Sequence, residues 1–231
     1  MTALAPEPVG TGVTFVLVDV QECGADGVRW AAACAEALGT GLVVLSAEED
    51  DAVLTAAMSE HPGLSVRVAH RGDVRREGSM VVVSRASALA MPPLACRDLS
   101  DVVVLGGSRA ALSCCFGVVT AILEPVGGEG VLRRAVSLCR ARQATRLRVL
   151  SRPYWASCDL PDAVADALHA ACPGVIVELV RQVRSVRDEV RLFPSDLLVV
   201  SGRERGPAEG LQPAARAALH LAACPVLFSC S

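Results

Sequence analysis

The residues whose type and spacing could do chemistry form two short motifs, and both are compatible with an anionic ligand. Gly127-Gly128-Glu129-Gly130 opens a predicted helix after a strand, as a dinucleotide-binding fingerprint does. Its spacing departs from G-x-G-x-x-G, so the match is weak. The second motif consists of four arginines that recur near helical spacing. A solvated helix face is the stronger interpretation of this motif. These arginines are Arg181, Arg184, Arg187 and Arg191.

The residue types that are missing exclude several reactions. All 22 basic residues are Arg, and the chain contains neither Lys nor Asn. A Walker-A lysine, a Schiff-base lysine and a Ser-x-x-Lys acylation centre are therefore impossible. The sequence also lacks a G-x-S-x-G motif, and no Ser/His/Asp constellation can be assembled from it. We therefore predict no catalytic residues and no enzymatic activity.

Cysteine, histidine and charge patterns favour neither a metal site nor a nucleic-acid partner. None of the ten cysteines forms a C-x-x-C pair, and the four histidines form no H-x-x-x-H arrangement. The N-terminus has no basic or apolar signal region, so we expect a cytoplasmic protein with reduced thiols. The net charge of −3 is unlike that of a nucleic-acid binder. The longest uncharged stretch, Ala110–Leu123, is too short to span a bilayer, so we expect no membrane segment.

The most informative feature is an internal duplication. A shift of 105 residues aligns 12–46 with 117–151 without a gap, and nine of the 35 aligned positions are identical. A shift of 111 residues then aligns Asp51-Ala52-Val53 with Asp162-Ala163-Val164. Because the order of the matching blocks is kept, we predict two copies of one domain, at residues 10–107 and 114–231.

Each copy alternates apolar strands with helices. Val13–Asp19 and Val118–Glu124 are continuous apolar runs, typical of central parallel strands that are buried on both faces. Helical spacing follows the first run and stops at Gly39. Alternating strands and helices predict an α/β fold, with two tandem five-stranded, mostly parallel sheets and helices on both faces. The eight further predicted strands are Leu42–Ser46, Leu64–Ala69, Met80–Ser84, Val102–Leu105, Leu147–Ser151, Val175–Val180, Leu197–Ser201 and Val226–Ser229.

Three segments of the sequence resemble the universal stress protein family. They are V-L-V-D at Val16–Asp19, D-L-L-V-V-S-G-R-E-R-G at Asp196–Gly206, and A-A-C-P-V-L at Ala222–Leu227. The resemblance covers almost the whole chain as two tandem domains. It implies the fold of adenine-nucleotide α-hydrolases, with the last strands of the two copies paired in an intramolecular pseudo-dimer.

The resemblance also implies ATP or AMP, with Mg²⁺, as the ligand. Family members bind it through an acid that ends strand one and a G-x2-G-x9-G-[ST] loop after strand four. In the first copy no glycine lies between Ser84 and Cys96, and in the second copy Pro213-Ala214 replaces the Gly-[ST] pair. The candidate binding residues are Asp19, which matches the family's acid in the first copy, and eight residues of the second copy, where Glu124 replaces that aspartate. The eight are Glu124, Gly127, Ser201, Gly202, Arg203, Arg205, Gly206 and Gly210.

These departures lead to one predicted function and one alternative. We predict a non-enzymatic stress-response or regulatory protein of the universal stress type, with impaired or absent nucleotide binding and an unidentified protein partner. The alternative is a universal stress protein that binds ATP or AMP at one functional site in the second domain. Either would be a monomer with pseudo-dimeric domains, or a homodimer.

Overall fold

The computed structural model describes ten ranges of residues. These are residues 14–46, 51–70, 79–90, 101–106, 117–124, 126–151, 162–181, 185–192, 195–202 and 210–230. We call residues 14–106 the first half and residues 117–230 the second half.

The described residues form ten strands and seven helices. The strands are β1 (Phe15–Asp19), β2 (Gly41–Leu45), β3 (Val66–Ala69), β4 (Met80–Val83), β5 (Asp101–Val104), β6 (Val118–Leu123), β7 (Arg146–Ser151), β8 (Ile176–Arg181), β9 (Leu197–Ser201) and β10 (Val226–Ser229). The helices are α1 (Val20–Leu38), α2 (Asp51–Glu60), α3 (Arg85–Ala90), α4 (Gly128–Ala141), α5 (Asp162–Ala171), α6 (Val186–Leu192) and α7 (Pro213–Leu221).

All ten strands belong to one sheet, in the order β3-β2-β1-β4-β5-β10-β9-β6-β7-β8. Neighbouring strands run parallel within each half. The halves meet where β5 pairs antiparallel with β10, with Val103 opposite Leu227. The predicted mostly parallel α/β class is confirmed. The last strands of the two halves pair, as the resemblance implies, and so the two five-stranded sheets form one continuous sheet. The predicted boundary between residues 107 and 114 falls between β5 and β6 and stays a prediction.

The strands near the middle of each half, such as β1 and β9, are largely apolar because helices cover both faces of the sheet. Along β1, Val16 and Val18 join the core beneath α1, α2, α4 and α5. Leu17, whose side chain points to the opposite face, joins the core beneath α3, α6 and α7. This two-sided burial explains why the sequence contains continuous apolar runs instead of alternating ones.

Helix α1 is longer than the sequence predicts. It begins at Val20, directly after β1, and contains a kink at Gly24, whose φ of 63° lies in the left-handed region. Its end is as predicted, because Gly39 adopts φ 64° and its N–H donates to the last turn of the helix. None of the described helices has the length and apolar character needed to cross a membrane.

A buried ion pair reinforces the seam between the halves. Arg134 of α4 lies 2.5 Å from the Asp101 carboxylate of β5, and their side chains are 11% and 4% exposed. The other oxygen of Asp101 accepts a hydrogen bond from the Cys230 backbone N–H at 3.0 Å. Burial raises the pKa of Asp101, while Arg134 and the Cys230 N–H both lower it. The chain thus places a charged pair in the interior of the joined sheet.

Three further contacts cross the same seam. The Arg85 guanidinium donates to the Ala222 carbonyl, which belongs to the C-terminal end of α7. The Arg142 guanidinium carbon lies 5.4 Å from the ring centre of Trp30, a buried residue of α1. Gly106, which lies two residues after β5, packs closely against the Ala223 backbone. A Cβ added at Gly106 would lie 2.2 Å from the Ala223 carbonyl oxygen. The halves are therefore packed on each other through side chains as well as through the paired strands.

Candidate functional site at the carboxyl ends of the strands

The strand order produces one crevice in each half where a ligand could enter. In the first half β1 is flanked by β2 and β4, and in the second half β6 is flanked by β7 and β9. In open α/β sheets, ligands bind outside the carboxyl ends of the strands, at the point where the strand order reverses. Asp19 ends β1, Glu124 directly follows β6, and Ser201 ends β9. The structure therefore brings the predicted acids and Ser201 to the crevices.

In the first half, the Asp19 carboxylate caps its own helix. Its Oδ1 accepts hydrogen bonds from the backbone N–H groups of Gln21 at 2.9 Å and Glu22 at 3.4 Å. The side chain is 8% exposed. This is the usual arrangement of an N-cap aspartate, which satisfies helix N–H groups that have no partner within the helix. The resemblance implies that Asp19 binds a ligand. In the structure its carboxylate caps α1.

Two further contacts lie at the carboxyl end of β4 in the first half. Helix α3 begins directly after β4, and the Ser84 hydroxyl oxygen accepts a hydrogen bond from the Ser87 N–H at 3.1 Å. The Cys23 thiol, in the first turn of α1, lies 3.6 Å from the Val82 carbonyl oxygen of β4. As the sequence indicates, no glycine loop separates β4 from α3.

In the second half, Glu124 bonds to a different helix. Its Oε1 accepts a hydrogen bond from the Ala214 backbone N–H at 2.9 Å, and the residue is 1% exposed. Ala214 lies in the first turn of α7, directly after Pro213. Beside this contact the Gln212 amide, 2% exposed, donates to the Val126 carbonyl at 2.9 Å. The end of β6 and the start of α7 are therefore held together by two side chains.

Ser201 and Gly202 are bonded into the sheet. Ser201 is fully buried and pairs with Ser229 of β10 in the parallel ladder. The Gly202 N–H donates to the Ser229 carbonyl oxygen at 2.7 Å. A phosphate loop needs such N–H groups to point at the ligand. The N–H of Gly202 instead extends the bonding between β9 and β10.

The remaining predicted glycines have conformational roles. Gly127 caps α4 with φ 80°, and its carbonyl accepts a hydrogen bond from the Val131 N–H at 3.0 Å. Gly128 and Gly130 are buried in the first turn of the same helix, so the glycine cluster serves close packing. Gly210 has φ 62°, a conformation that other residues rarely adopt. Arg203, Arg205 and Gly206 lie outside the described residues.

Other motifs from the sequence show no site among the described residues. Arg187 and Arg191 of α6 are exposed, as expected for a solvated helix face. The helical interpretation is wrong for Arg181, which ends β8, and Arg184 lies outside the described ranges. No group of three or more metal-ligating side chains occurs in the part of the chain that the structure describes. Sequence reasoning missed the roles of Ala214 and Gln212, for which Pro213 at a helix start was the only signal.

The described thiols are poorly suited to react. Burial raises the pKa of Cys23 to about 12 and that of Cys224 to about 11. Burial also raises the pKa of Cys139 and Cys172. These residues are free thiols, as the sequence predicts. The expectation of ten reduced thiols is wrong for Cys230, which is disulfide-bonded.

No family model and no curated protein matches the sequence. Solved structures do match it. A universal stress protein from Archaeoglobus fulgidus DSM 4304 aligns with TM-score 0.62 and 8% identity over 94% of this chain and 96% of its own. A candidate universal stress protein from Pseudomonas aeruginosa UCBPP-PA14 aligns with TM-score 0.58 and 13% identity over 94% and 92%.

A third match is the cytoplasmic domain of a prokaryotic cation chloride cotransporter, with TM-score 0.57 and 14% identity over 94% and 95%. Such low identities establish the fold and leave the function to be argued from the site. Over almost its whole length, this chain has the fold of universal stress proteins.

Proposed function

We propose that this protein is a non-enzymatic regulatory protein of the universal stress type, in which nucleotide binding is impaired or absent. The observation that carries the proposal is the hydrogen bond from the Gly202 N–H to the Ser229 carbonyl, at 2.7 Å. Gly202 is the first glycine after β9, where a phosphate loop would begin. Its N–H group is already hydrogen-bonded to the neighbouring strand β10, so a bound phosphate would have to compete with that bond.

The first half supports the same conclusion by another route. Only Ser84, whose hydroxyl caps α3, separates β4 from that helix, and the Asp19 carboxylate caps α1. Among its described residues, therefore, neither half combines a carboxylate that faces a ligand with a loop of glycine N–H groups that could bind phosphate. These contacts favour recognition of a partner over nucleotide chemistry as the function.

We further propose that the two halves act as an intramolecular pseudo-dimer in the cytoplasm, with a protein as partner. The pairing of β5 with β10 and the buried Arg134–Asp101 pair support a fixed arrangement of the halves. The cotransporter match supports a regulatory role, because there the same fold is a cytoplasmic domain of a larger transport protein.

The alternative is an ATP or AMP site, with Mg²⁺, in the second half. It is favoured by one observation: Glu124 and Ser201 lie at the ends of the neighbouring strands β6 and β9, where this fold class receives ligands. The alternative requires that Arg203, Arg205 and Gly206 supply the phosphate contacts that Gly202 does not.

Thermal unfolding with and without millimolar ATP, ADP or AMP and Mg²⁺ separates the two functions. A ligand at about 100 times its dissociation constant adds roughly 2.7 kcal/mol of stability. At about 2–4 °C per kcal/mol for a chain of this size, the midpoint would rise by about 5–11 °C. We expect no shift. A shift of this size that is lost in the Gly202→Val/Gly206→Val double variant would overturn the proposal in favour of the alternative.

A further inference from the structure

Strand β8 forms one edge of the sheet, and part of its backbone points outward. Within the described ranges, the order of strands ends at β8. The Ile176 N–H donates to the Thr145 carbonyl at 2.9 Å, on the side of β7. Successive residues of a strand direct their backbone groups to alternate sides, so those of Val177 and Leu179 point away from β7. β8 therefore presents donors and acceptors to which a further strand could pair.

The usual protection of an edge strand is weak at β8. Edge strands avoid unwanted pairing by being short, or by carrying a proline, a bulge or an outstanding charge. β8 has six residues, none of them proline, and all six pair with β7 in unbroken register. Its first residue, Ile176, is 57% exposed. β3, at the opposite edge, has four residues and carries the exposed Arg67. Of the two edges, β8 is therefore better suited to accept a strand.

The acidic residue within β8 is already paired with two arginines of β7. Arg146 Nη1 donates to Glu178 Oε1 at 2.6 Å, and Arg148 Nε donates to Glu178 Oε2 at 3.0 Å. Two guanidinium groups share one carboxylate, so the cluster has a net charge of +1. The Arg148 side chain is 9% exposed and that of Arg146 is 38% exposed, so Arg146 is the member that a neighbouring molecule can reach.

The position of Arg146 places a positive charge near the open edge. Its guanidinium extends from β7 to the Glu178 carboxylate on β8. A strand added to β8 would lie only about 4.8 Å further out. An acidic side chain on that strand would therefore come within reach of Arg146.

We propose that β8 is the docking edge for the protein partner, and that the partner adds an extended segment with acidic side chains to the sheet at this edge. This inference deepens the proposed function and rests on it, since it names the surface and the chemistry of the partner. The alternating donors and acceptors of a strand edge are matched by another polypeptide backbone.

Charge decides between an acidic partner and a second copy of this chain. The second half contains 14 arginines and 11 acidic residues, so its net charge is +3. Pairing of β8 with its own copy would bring two clusters of like charge together, which opposes association. An acidic segment has the complementary charge, and steering by that charge depends on ionic strength.

Two synthetic peptides of opposite charge test the proposal. The acidic probe is fluorescein-labelled T-V-E-V-E-V-T, and the basic probe T-V-K-V-K-V-T differs only in the sign of its charges. Fluorescence anisotropy measures the binding of each probe to the full chain at low ionic strength. We expect the acidic probe to bind and the basic probe not to bind. No binding of the acidic probe up to about 1 mM protein, or equal binding of both probes, would overturn the proposal.

A matched pair of proline variants locates the binding edge. Val177→Pro removes an N–H that points outward from β8, which an edge strand tolerates. Val68→Pro does the same at β3, because the Ala69 carbonyl accepts from the Ser46 N–H on the side of β2 and its neighbour Val68 points the other way. Val177→Pro should weaken binding of the acidic probe by at least about fivefold, through the loss of a backbone hydrogen bond. Val68→Pro should leave binding unchanged, and equal effects of the two variants would contradict docking at β8.

A second matched pair tests the charge. Arg146→Gln removes the accessible guanidinium and should weaken binding of the acidic probe by about two- to fivefold, as for the loss of an exposed ion pair. Arg133→Gln changes the net charge equally, but Arg133 lies on α4, where it is 64% exposed and pairs with Glu129. Binding should be unaffected by Arg133→Gln, and equal losses in both variants would show that only the total charge matters.

Amide hydrogen exchange of the wild-type protein gives the same answer without any substitution, should Val177→Pro not fold. Followed by NMR, the outward N–H groups of Val177 and Leu179 should exchange faster than that of Glu178, which faces β7. Saturation with the acidic probe should slow the exchange of Val177 and Leu179 by at least about tenfold. Unchanged exchange at these two residues would overturn the proposal.

The outcomes separate this inference from the proposed function. Failure of the acidic probe to bind, with no nucleotide-dependent shift in thermal unfolding, would overturn the docking edge alone. A nucleotide-dependent shift would overturn the proposed function, whatever the peptides do. Sedimentation velocity of the protein without peptide covers the remaining occupant: a dimer that is lost in Val177→Pro would show that a second copy pairs at β8, and would overturn the acidic partner.

Discussion

Replacing Arg134 by Gln should weaken the seam between the halves far more than the same change at the equivalent position of the first half. Arg134 is 11% exposed and its partner Asp101 is 4% exposed. Removing one member of a buried pair costs about 3–5 kcal/mol, because the other charge is left without compensation. At about 2–4 °C per kcal/mol, the midpoint of unfolding should fall by about 6–20 °C.

The duplication supplies the matched control. Arg29 aligns with Arg134 at a shift of 105 residues, but its partners Asp26 and Glu60 are 3.8 and 3.4 Å away and its side chain is 47% exposed. Exposed pairs contribute about 0.2–1 kcal/mol. Arg29→Gln removes two such pairs, at most about 2 kcal/mol together, and should therefore lower the midpoint by at most about 8 °C. Thermal unfolding at low ionic strength, followed by circular dichroism, measures both variants on the same scale.

The pH dependence of the Arg134→Gln defect has a definite sign. Burial already raises the pKa of Asp101, and Arg134 opposes this increase, so its removal should raise the pKa further. In the unfolded chain an aspartate titrates near about 3.9. Between that value and the raised pKa of the folded state, the folded state binds more protons, and stability is lost as the pH increases. The defect should therefore be largest near neutral pH and smaller near about pH 4–5.

A double variant completes the test. Asp101→Asn combined with Arg134→Gln removes both charges, so it should recover part of the stability that Arg134→Gln loses. Equal midpoints for Arg134→Gln and Arg29→Gln, or a double variant whose losses simply add, would refute the reasoning that the pair is buried and coupled.

Two further predictions follow from the seam and from the thiols. Gly106→Ala should destabilise the protein by about 1–3 kcal/mol, because its Cβ would lie 2.2 Å from the Ala223 carbonyl oxygen. Gly63→Ala, with no atom within 4 Å of its Cβ, should change stability by at most about 1 kcal/mol, and equal losses in a denaturant titration would contradict this. With its pKa raised to about 12, Cys23 should be alkylated at pH 8 at least about 100 times more slowly in the folded than in the unfolded protein. Mass spectrometry of the adducts measures this ratio, and fast labelling of the native thiol would show that it is accessible.

Much of the fold could be predicted because burial on both faces of a sheet leaves a direct trace in the sequence. The ten predicted strands all form, and their ends differ from the observed ones by at most two residues, as at Val13–Asp19 against the observed Phe15–Asp19. The start of α1 was less predictable. Gly24 interrupts its helical spacing, and the structure accommodates that glycine as a kink inside one helix.

The candidate site was predicted only as a set of residue types. Asp19 and Glu124 look equivalent in sequence, since both end a buried run before a helix. Side-chain length and the position of α7 give them different partners: Asp19 caps α1, and Glu124 accepts from Ala214. Arg29 and Arg134 differ in the same way, one exposed and one buried against Asp101. No local pattern distinguishes the members of either pair.

The sequence alone therefore determines the alternation of strands and helices, the duplication and the absence of lysine chemistry, because these depend on composition and local periodicity. Only the tertiary structure decides what the duplicated residues do. The pairing of β5 with β10 turns two similar halves into one sheet and creates a buried seam for Arg134. The packing of α7 against the end of β6 places a carboxylate at a helix N-terminus. Both results depend on contacts between residues about 30 to 130 positions apart, which a sequence read in local windows does not contain.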